Sequence, residues 1–187
     1  MRRIRSLYLT GPDLFHPRTL ELAIQMQALC EAAGFSAITP HTDSTLESAA
    51  SEALAREIYA ERAARMRRAD AAVVNLTPFR GPHCDPAAAF EAGFMAGMGK
   101  PVFAYLNVTC EEDAELIARV EALSGAEADE HGGWRDDLGA MIEDYGLPES
   151  LMLWAEARRL HVVVTPDPGT DLTGLQLCLE AVKLYAD

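Results

Sequence analysis

The sequence predicts an α/β fold, a doubly wound parallel five-stranded sheet with helices on both faces, and three observations predict it. Short apolar runs alternate along the chain with longer segments whose apolar residues recur at helical spacing. The run Ala71-Ala72-Val73-Val74-Asn75-Leu76 is apolar almost throughout, as a central strand covered on both faces requires. A few residues later Asp85-Pro86 marks a helix start, with Asp85 as N-cap and Pro86 at the first helical position.

Taken in order, residues 4–10 read as a buried strand that ends in the loop Gly11-Pro12-Asp13. A helix follows over 17–33, with Leu20, Ile24, Leu29 and Ala32 as its apolar positions and Gly34 closing it. Residues 35–39 form the second strand. The Ala-rich stretch 44–68 reads as a long helical region with Ala53, Ile58, Ala64 and Met66 toward the core. After the third strand at 71–76, a helix runs from Asp85 to about Met98, where Gly99 ends it. Residues 102–105 give a fourth strand, 112–123 a helix, 160–165 a fifth strand and 172–185 a final helix. The acidic, Gly-rich segment 124–138 breaks this rhythm and reads as a mobile loop or lid. Residues 1–187 therefore read as a single flavodoxin- or Rossmann-like domain with its site at the C-terminal strand ends.

Composition narrows the partners. With 187 residues, 49% of them hydrophobic, the chain can bury one full core. The net charge of −13, from 29 acidic against 16 basic residues, repels nucleic-acid backbones and anionic membranes and favours a small-molecule substrate. Met1-Arg2-Arg3 begins like an export signal, but only Leu7-Tyr8-Leu9 follows as apolar sequence before Gly11-Pro12. No run approaches the roughly 20 apolar residues that span a bilayer. Cys30, Cys84, Cys110 and Cys178 lie far apart, which fits reduced thiols in the cytoplasm.

The chain has no G-x-G-x-x-G after its first strand, no phosphate-binding G-x-x-x-x-G-K-[ST] and no H-E-x-x-H, so no cofactor or metal is expected. His83-Cys84-Asp85 offers three ligand types in a row, but adjacent residues rarely point at one ion. The informative feature is Glu91, a carboxylate inside the otherwise apolar first half of the helix that follows the central strand, where charge is costly. Ala87 and Ala88 lie one turn before it on its own face and would leave room for a substrate ring. Asp85, at the helix mouth, would reach a sugar hydroxyl or a base, where the helix dipole favours negative charge. Spacing alone leaves a second reading open, with Asp85 only an N-cap and Glu91 only a solvated helix residue.

The motifs Tyr8-Leu9-Thr10-Gly11-Pro12, Met66-Arg67-Arg68-Ala69-Asp70, Leu76-Thr77-Pro78-Phe79-Arg80-Gly81-Pro82, residues 85–100 through Gly99-Lys100-Pro101, and Glu143-Asp144-Tyr145-Gly146-Leu147-Pro148 with Leu151-Met152-Leu153 occur in this order. Together they resemble the nucleoside 2-deoxyribosyltransferase family. The resemblance implies a double displacement in which Glu91 attacks the anomeric carbon and forms a glycosyl-enzyme ester, Asp85 assists at the leaving base, and Tyr8 orients the nucleophile. It also implies substrate contacts at Gly11 and Phe79, and at Ser150 and Met152 reaching the site of a neighbouring subunit, hence a homo-oligomer. Apart from the resemblance, Met152 reads as a core or interface residue, and Tyr8 as either a site residue or core packing.

Three positions depart from the family pattern. Arg62, eight residues before Asp70, stands where the family carries Asp or Asn for base recognition. Its guanidinium offers only donors and would recognise a carbonyl-rich base or a phosphate, unless it is a solvated helix residue paired with Glu61 or Glu57. Ser150 replaces a sugar-contacting Asn, and Pro86-Ala87-Ala88-Ala89 replaces smaller or hydroxyl-bearing residues. The partners implied are a nucleoside or nucleotide and a free base. The leading expectation is transfer of a (2-deoxy)ribosyl group between bases. A nucleoside or nucleoside 5′-monophosphate hydrolase using the same Glu91 is the near alternative, and a non-catalytic nucleotide-binding domain is the distant one. Turnover with and without an acceptor base separates them.

Overall fold

The structure, a computed structural model, describes residues 3–40 and 50–186. Five strands, β1 (Ser6–Thr10), β2 (Ser36–Ile38), β3 (Ala71–Asn75), β4 (Val102–Val108) and β8 (Arg159–Val164), form a sheet of order β2-β1-β3-β4-β8. Every pair in it is parallel, with Thr10 opposite Val74 and Asn75 opposite Tyr105. The chain runs outward from β1 to β2 and then returns to the other side of β1 at β3. That reversal creates a crevice at the C-terminal ends of β1 and β3.

Helices close both faces. On one side α1 (Thr19–Ala32) and α6 (Thr173–Ala186) pack Met26, Cys30, Leu175 and Cys178 against Leu7, Leu9, Val73 and Phe103. On the other, α2 (Glu52–Arg68) and α3 (Pro86–Gly97) pack Ala63, Met66, Ala88 and Met95 against Tyr8, Ala72, Val74 and Ala104. The alternation of side chains along each strand assigns them to these two cores. No described helix is long and apolar enough to cross a membrane.

The five predicted strands and the order of the long helices agree with the structure, but helix faces agree only in part, Met66 of α2 being buried as expected. In α1 the buried residues are Leu22, Met26 and Cys30, whereas Leu20 and Ile24 are 58% and 68% exposed. Both stripes of this helix are apolar, so periodicity could not choose between them. In α2 the buried pair is Ala63 and Met66; Ala53 and Ala64 are exposed. The part of the predicted helical region at 44–49 lies outside the described residues.

Segment 112–123 divides into a 3-10 turn, Glu112–Ala114, and α4 (Leu116–Ser124). The predicted loop or lid after it is an ordered meander of three two-residue strands, β5 (Glu127–Ala128), β6 (Trp134–Arg135) and β7 (Met141–Ile142). Two aspartates fold it: Asp129 accepts from the backbone N–H of His131 and Gly133, and Asp136 accepts from those of Leu138 and Ala140. A short helix, α5 (Leu151–Glu156), also escaped the sequence reading.

Candidate active site

Strand alternation turns Tyr8 and Thr10 of β1 to the face covered by α2 and α3. α3 begins as its sequence demands. The Asp85 carboxylate accepts from Ala88 N at 3.1 Å, and Pro86 occupies the first turn. Its buried stripe is Ala88, Glu91, Ala92 and Met95, and Glu91 is only 4% exposed. Thr10 Oγ1 donates to Glu91 Oε2. Arg62 Nη1 stands 3.6 Å from Glu91 Oε1, with the Arg62 side chain 19% exposed. A carboxylate taken out of water costs roughly several kcal/mol unless it is paired and hydrogen-bonded, and here a cation and a hydroxyl supply both.

Tyr8 is fully buried beside the same carboxylate. Burial first, and then the Glu91 charge, push its phenol well above the ordinary tyrosine range, so it remains a neutral donor rather than a base. Its hydroxyl makes no hydrogen bond of normal geometry, and neither does Arg62 Nε. Arg62 Nε is thus an unspent donor at the carboxylate, while the Tyr8 phenol already leans on it.

Arg62 is held in place through its helix. Lys100 Nζ donates to the carbonyls of Met66 and Arg67 at 2.8 and 2.7 Å, closing the C-terminus of α2. Arg65 ties α2 to the end of β2 through Thr39 O at 2.7 Å and also pairs with Glu61 at 2.8 Å. The Glu61 pairing weighed above for Arg62 therefore belongs to Arg65.

A second polar cluster lies on the α1 and α6 side of the same strand ends. Asn75 Nδ2 donates to the Asp13 carboxylate at 3.0 Å, while Asn75 Oδ1 accepts from Thr77 N at 3.0 Å. Thr77 Oγ1 accepts from Asn107 N at 3.0 Å, and Asn107 Nδ2 donates to Pro168 O and Asp171 O. Burial pushes the Asp13 carboxyl up, opposed by the Asn75 hydrogen bond. Gly11 packs against this cluster, since a Cβ there would lie 2.4 Å from Asn75 Cβ.

Phe79 belongs to this second cluster. Its ring stacks on Phe15 with centroids 5.1 Å apart, and the Arg80 guanidinium lies 4.6 Å from the Phe79 centroid. Both rings line a cavity of about 340 Å³ with Asp13, His16 and Asn75. Ala88 is fully buried in the core, so the open space expected at that position is taken up by packing, while Ala87 is half-buried. Ser150 and Met152 face a separate groove of about 510 Å³ against Ala89, Gly93 and Ala96, and Met152 is 78% exposed.

The structure thus gathers Glu91, Tyr8 and Arg62, places Asp85 at the head of the same helix, and leaves Gly11 against Asn75 and Asp13, with Phe79, Ser150 and Met152 on other walls. Sequence reasoning missed Thr10 as a partner of Glu91. The signal was available in the alternation that puts it on the face of Tyr8.

A family model described as nucleoside 2-deoxyribosyltransferase matches residues 7–152. An uncharacterised protein of Schizosaccharomyces pombe is 31% identical over 103 residues, covering 54% of this chain and 49% of that protein. The chain therefore spans about half the length of the curated relative it matches. Among solved structures, a 2-desoxiribosyltransferase from Leishmania mexicana superposes with a TM-score of 0.62 at 24% identity, over 94% of this chain and 97% of that one. A CMP N-glycosidase from Clostridium botulinum aligns over 97% of this chain and 99% of that one, with a TM-score of 0.45 and 12% identity.

Proposed function

The chain belongs to the nucleoside 2-deoxyribosyltransferase family, and from that premise we propose that it moves a (2-deoxy)ribosyl group between bases through an ester on Glu91. The observation that carries this reading is the buried Glu91 carboxylate, flanked by the Thr10 hydroxyl, the Arg62 guanidinium and the Tyr8 phenol at the switch point of the sheet. A Glu91 oxygen attacks C1′ as the C1′–N bond breaks. The bonding pair leaves with the base, and a proton relayed from water through the Asp85 carboxyl neutralises it at a ring nitrogen. A ring nitrogen of the second base then attacks C1′ and frees the Glu91 carboxylate, its proton leaving by way of Asp85. Water in place of that base gives hydrolysis. Splitting one difficult substitution into two in this way is the general strategy of retaining glycosyl transfer.

Arg62 sets the substrate class. Its Nε is unpartnered beside the nucleophile and offers only donors, so bases carrying a carbonyl, or a 5′-phosphate, suit the site better than amino-bearing ones. Ser150 and Met152 serve the site of a second copy, a reading supported by their place on a different wall from Glu91 and by the exposure of Met152 and Trp154. We place this homo-oligomer in the cytoplasm, as its four free cysteines suggest.

The test is incubation with deoxynucleosides, ribonucleosides and their monophosphates, with and without free bases, followed by chromatography. Base exchange supports transfer, and base release only into water supports the hydrolase. Thermal stabilisation by a ligand with no base release would leave only the binding-domain reading. A glycosyl adduct on the peptide containing Glu91 is the expected intermediate, and Arg62→Asp is expected to reverse the preference among bases.

A further inference from the structure

The loop that carries Asp85 and the loop that carries Ser150 are stapled together by two buried side chains of opposite charge. Glu149 is 1% exposed. Its Oε2 accepts from Cys84 N at 3.0 Å, and its Oε1 accepts from Ser150 N at 2.8 Å and stands 3.1 Å from His83 Nδ1. Arg119, 6% exposed, donates to Pro82 O at 2.9 Å and to Pro148 O at 2.6 Å. It also anchors Asp113 O at 2.6 Å. Residues 82–84 of one loop and 148–150 of the other are thus bound to each other by these two side chains alone among the hydrogen bonds just named.

A buried carboxylate is an expensive way to join two loops, because an apolar pair of similar volume often does so at no loss of stability. What an apolar pair cannot do is orient backbone N–H groups. The residue that Glu149 grips is Cys84, immediately before Asp85, where the chain enters α3. Together with the hydrogen bond that the Asp85 carboxylate accepts from Ala88 N at 3.1 Å, that grip on the chain entering α3 sets where the carboxylate stands.

We propose that Glu149 is a positioning residue that aims Asp85 at the departing base, acting through the Cys84 backbone. The proposal rests on the reading of Asp85 as the carboxylate that assists the leaving base. It distinguishes substrates by their need for that assistance. The base leaving an ordinary purine nucleoside must receive a proton, relayed through Asp85, whereas an N7-methylated purine nucleoside already carries the positive charge and releases a neutral base without one.

The experiment compares wild type, Glu149→Gln, Glu149→Leu and Asp85→Asn, as full chains, on 2′-deoxyguanosine and its N7-methyl derivative. For the ordinary substrate, both Glu149 variants are expected to lose roughly tenfold to hundredfold in kcat with little change in KM, as expected for a displaced catalytic group. The loss on the N7-methyl substrate is expected to be at least about tenfold smaller, and Asp85→Asn should show the same asymmetry. Equal losses on the two substrates, or none, overturn the proposal. If Glu149→Leu does not fold, Glu149→Gln, which keeps the size and one acceptor oxygen, decides the matter. Absence of base release by the wild type from either substrate would overturn the reading of Asp85 together with this proposal, whereas an active wild type with symmetric losses overturns this proposal alone.

Discussion

Two carboxylates stand at the C-terminal edge of the sheet, and their surroundings differ in kind. Asp13, on the α1 and α6 side, is met by the Asn75 amide, and the chain of bonds continues through Thr77 and Asn107 into the backbone before α6. Glu91, on the α2 and α3 side, is met by the side chains of Thr10, Arg62 and Tyr8. Around Asp13 the side chains of Asn75, Thr77 and Asn107 are linked in series and end on the carbonyls of Pro168 and Asp171, which makes the cluster a brace for three loops. Around Glu91, Arg62 Nε remains without a partner. Polar networks that cross-link several loops rigidify, even with Asn107 Oδ1 left without a partner, while an unspent donor beside a charge is what a ligand can complete. The contrast marks one cluster as structural and the other as reactive.

The sharpest way to break this contrast is to neutralise both carboxylates. Glu91→Gln is expected to lower turnover by several orders of magnitude, as removal of a covalent nucleophile does. Asp13→Asn keeps an acceptor for Asn75 and is expected to cost less than about tenfold. Base release followed by chromatography measures both, and equal losses would erase the distinction between the clusters.

The threonines offer a second comparison. Thr10→Val removes the hydroxyl on Glu91 and is expected to cost tenfold to hundredfold in kcat/KM, the consequence of about 1–3 kcal/mol. Thr77→Val instead strands Asn107 N and is expected to appear in denaturant melts, as about 1–3 kcal/mol of lost stability, with activity much less affected. Gly11→Ala presses a methyl group against Asn75 and should lower the melting temperature by several degrees, through about 1–3 kcal/mol of overpacking.

The smallest effect concerns protons. Of the five tyrosines, Tyr8 and Tyr105 are both shifted upward by burial. These two should resist alkaline titration, followed by phenolate absorbance, until the protein unfolds. Because their folded pKa values are raised, the associated stability is fully present below the ordinary tyrosine range of about 10 and is lost as pH rises above it, since the unfolded chain releases those protons first. Tyr8→Phe should flatten that alkaline loss, and an unchanged profile would show that Tyr8 titrates freely.

Much of this molecule was legible locally. The apolar run at 71–76, the Asp85-Pro86 helix start and the glycines after α1 and α3 act over a few residues, so the order of strands and long helices followed from them. The helix faces were less legible. α1 is apolar on two sides, and only the sheet beneath it selected Leu22, Met26 and Cys30. The meander after α4 was hidden because its turns depend on aspartate side chains gripping nearby N–H groups within a segment that reads as acidic loop.

By itself the sequence determined that the chain is a parallel α/β protein with a carboxylate, Glu91, in an apolar helix behind the central strand. Hydrophobic periodicity, capping and the cost of a lone charge are properties of neighbouring residues and need no fold to be read. Only the tertiary structure decided what meets that carboxylate. Thr10 reaches it from 81 residues away, and Glu149 reaches Cys84 across 65. No local signal encodes such pairings, because they exist only once β1, β3 and the helix following β3 have been brought side by side. The same closure put Arg62 at 3.6 Å from Glu91 and left Phe79 stacked on Phe15 in the neighbouring cluster.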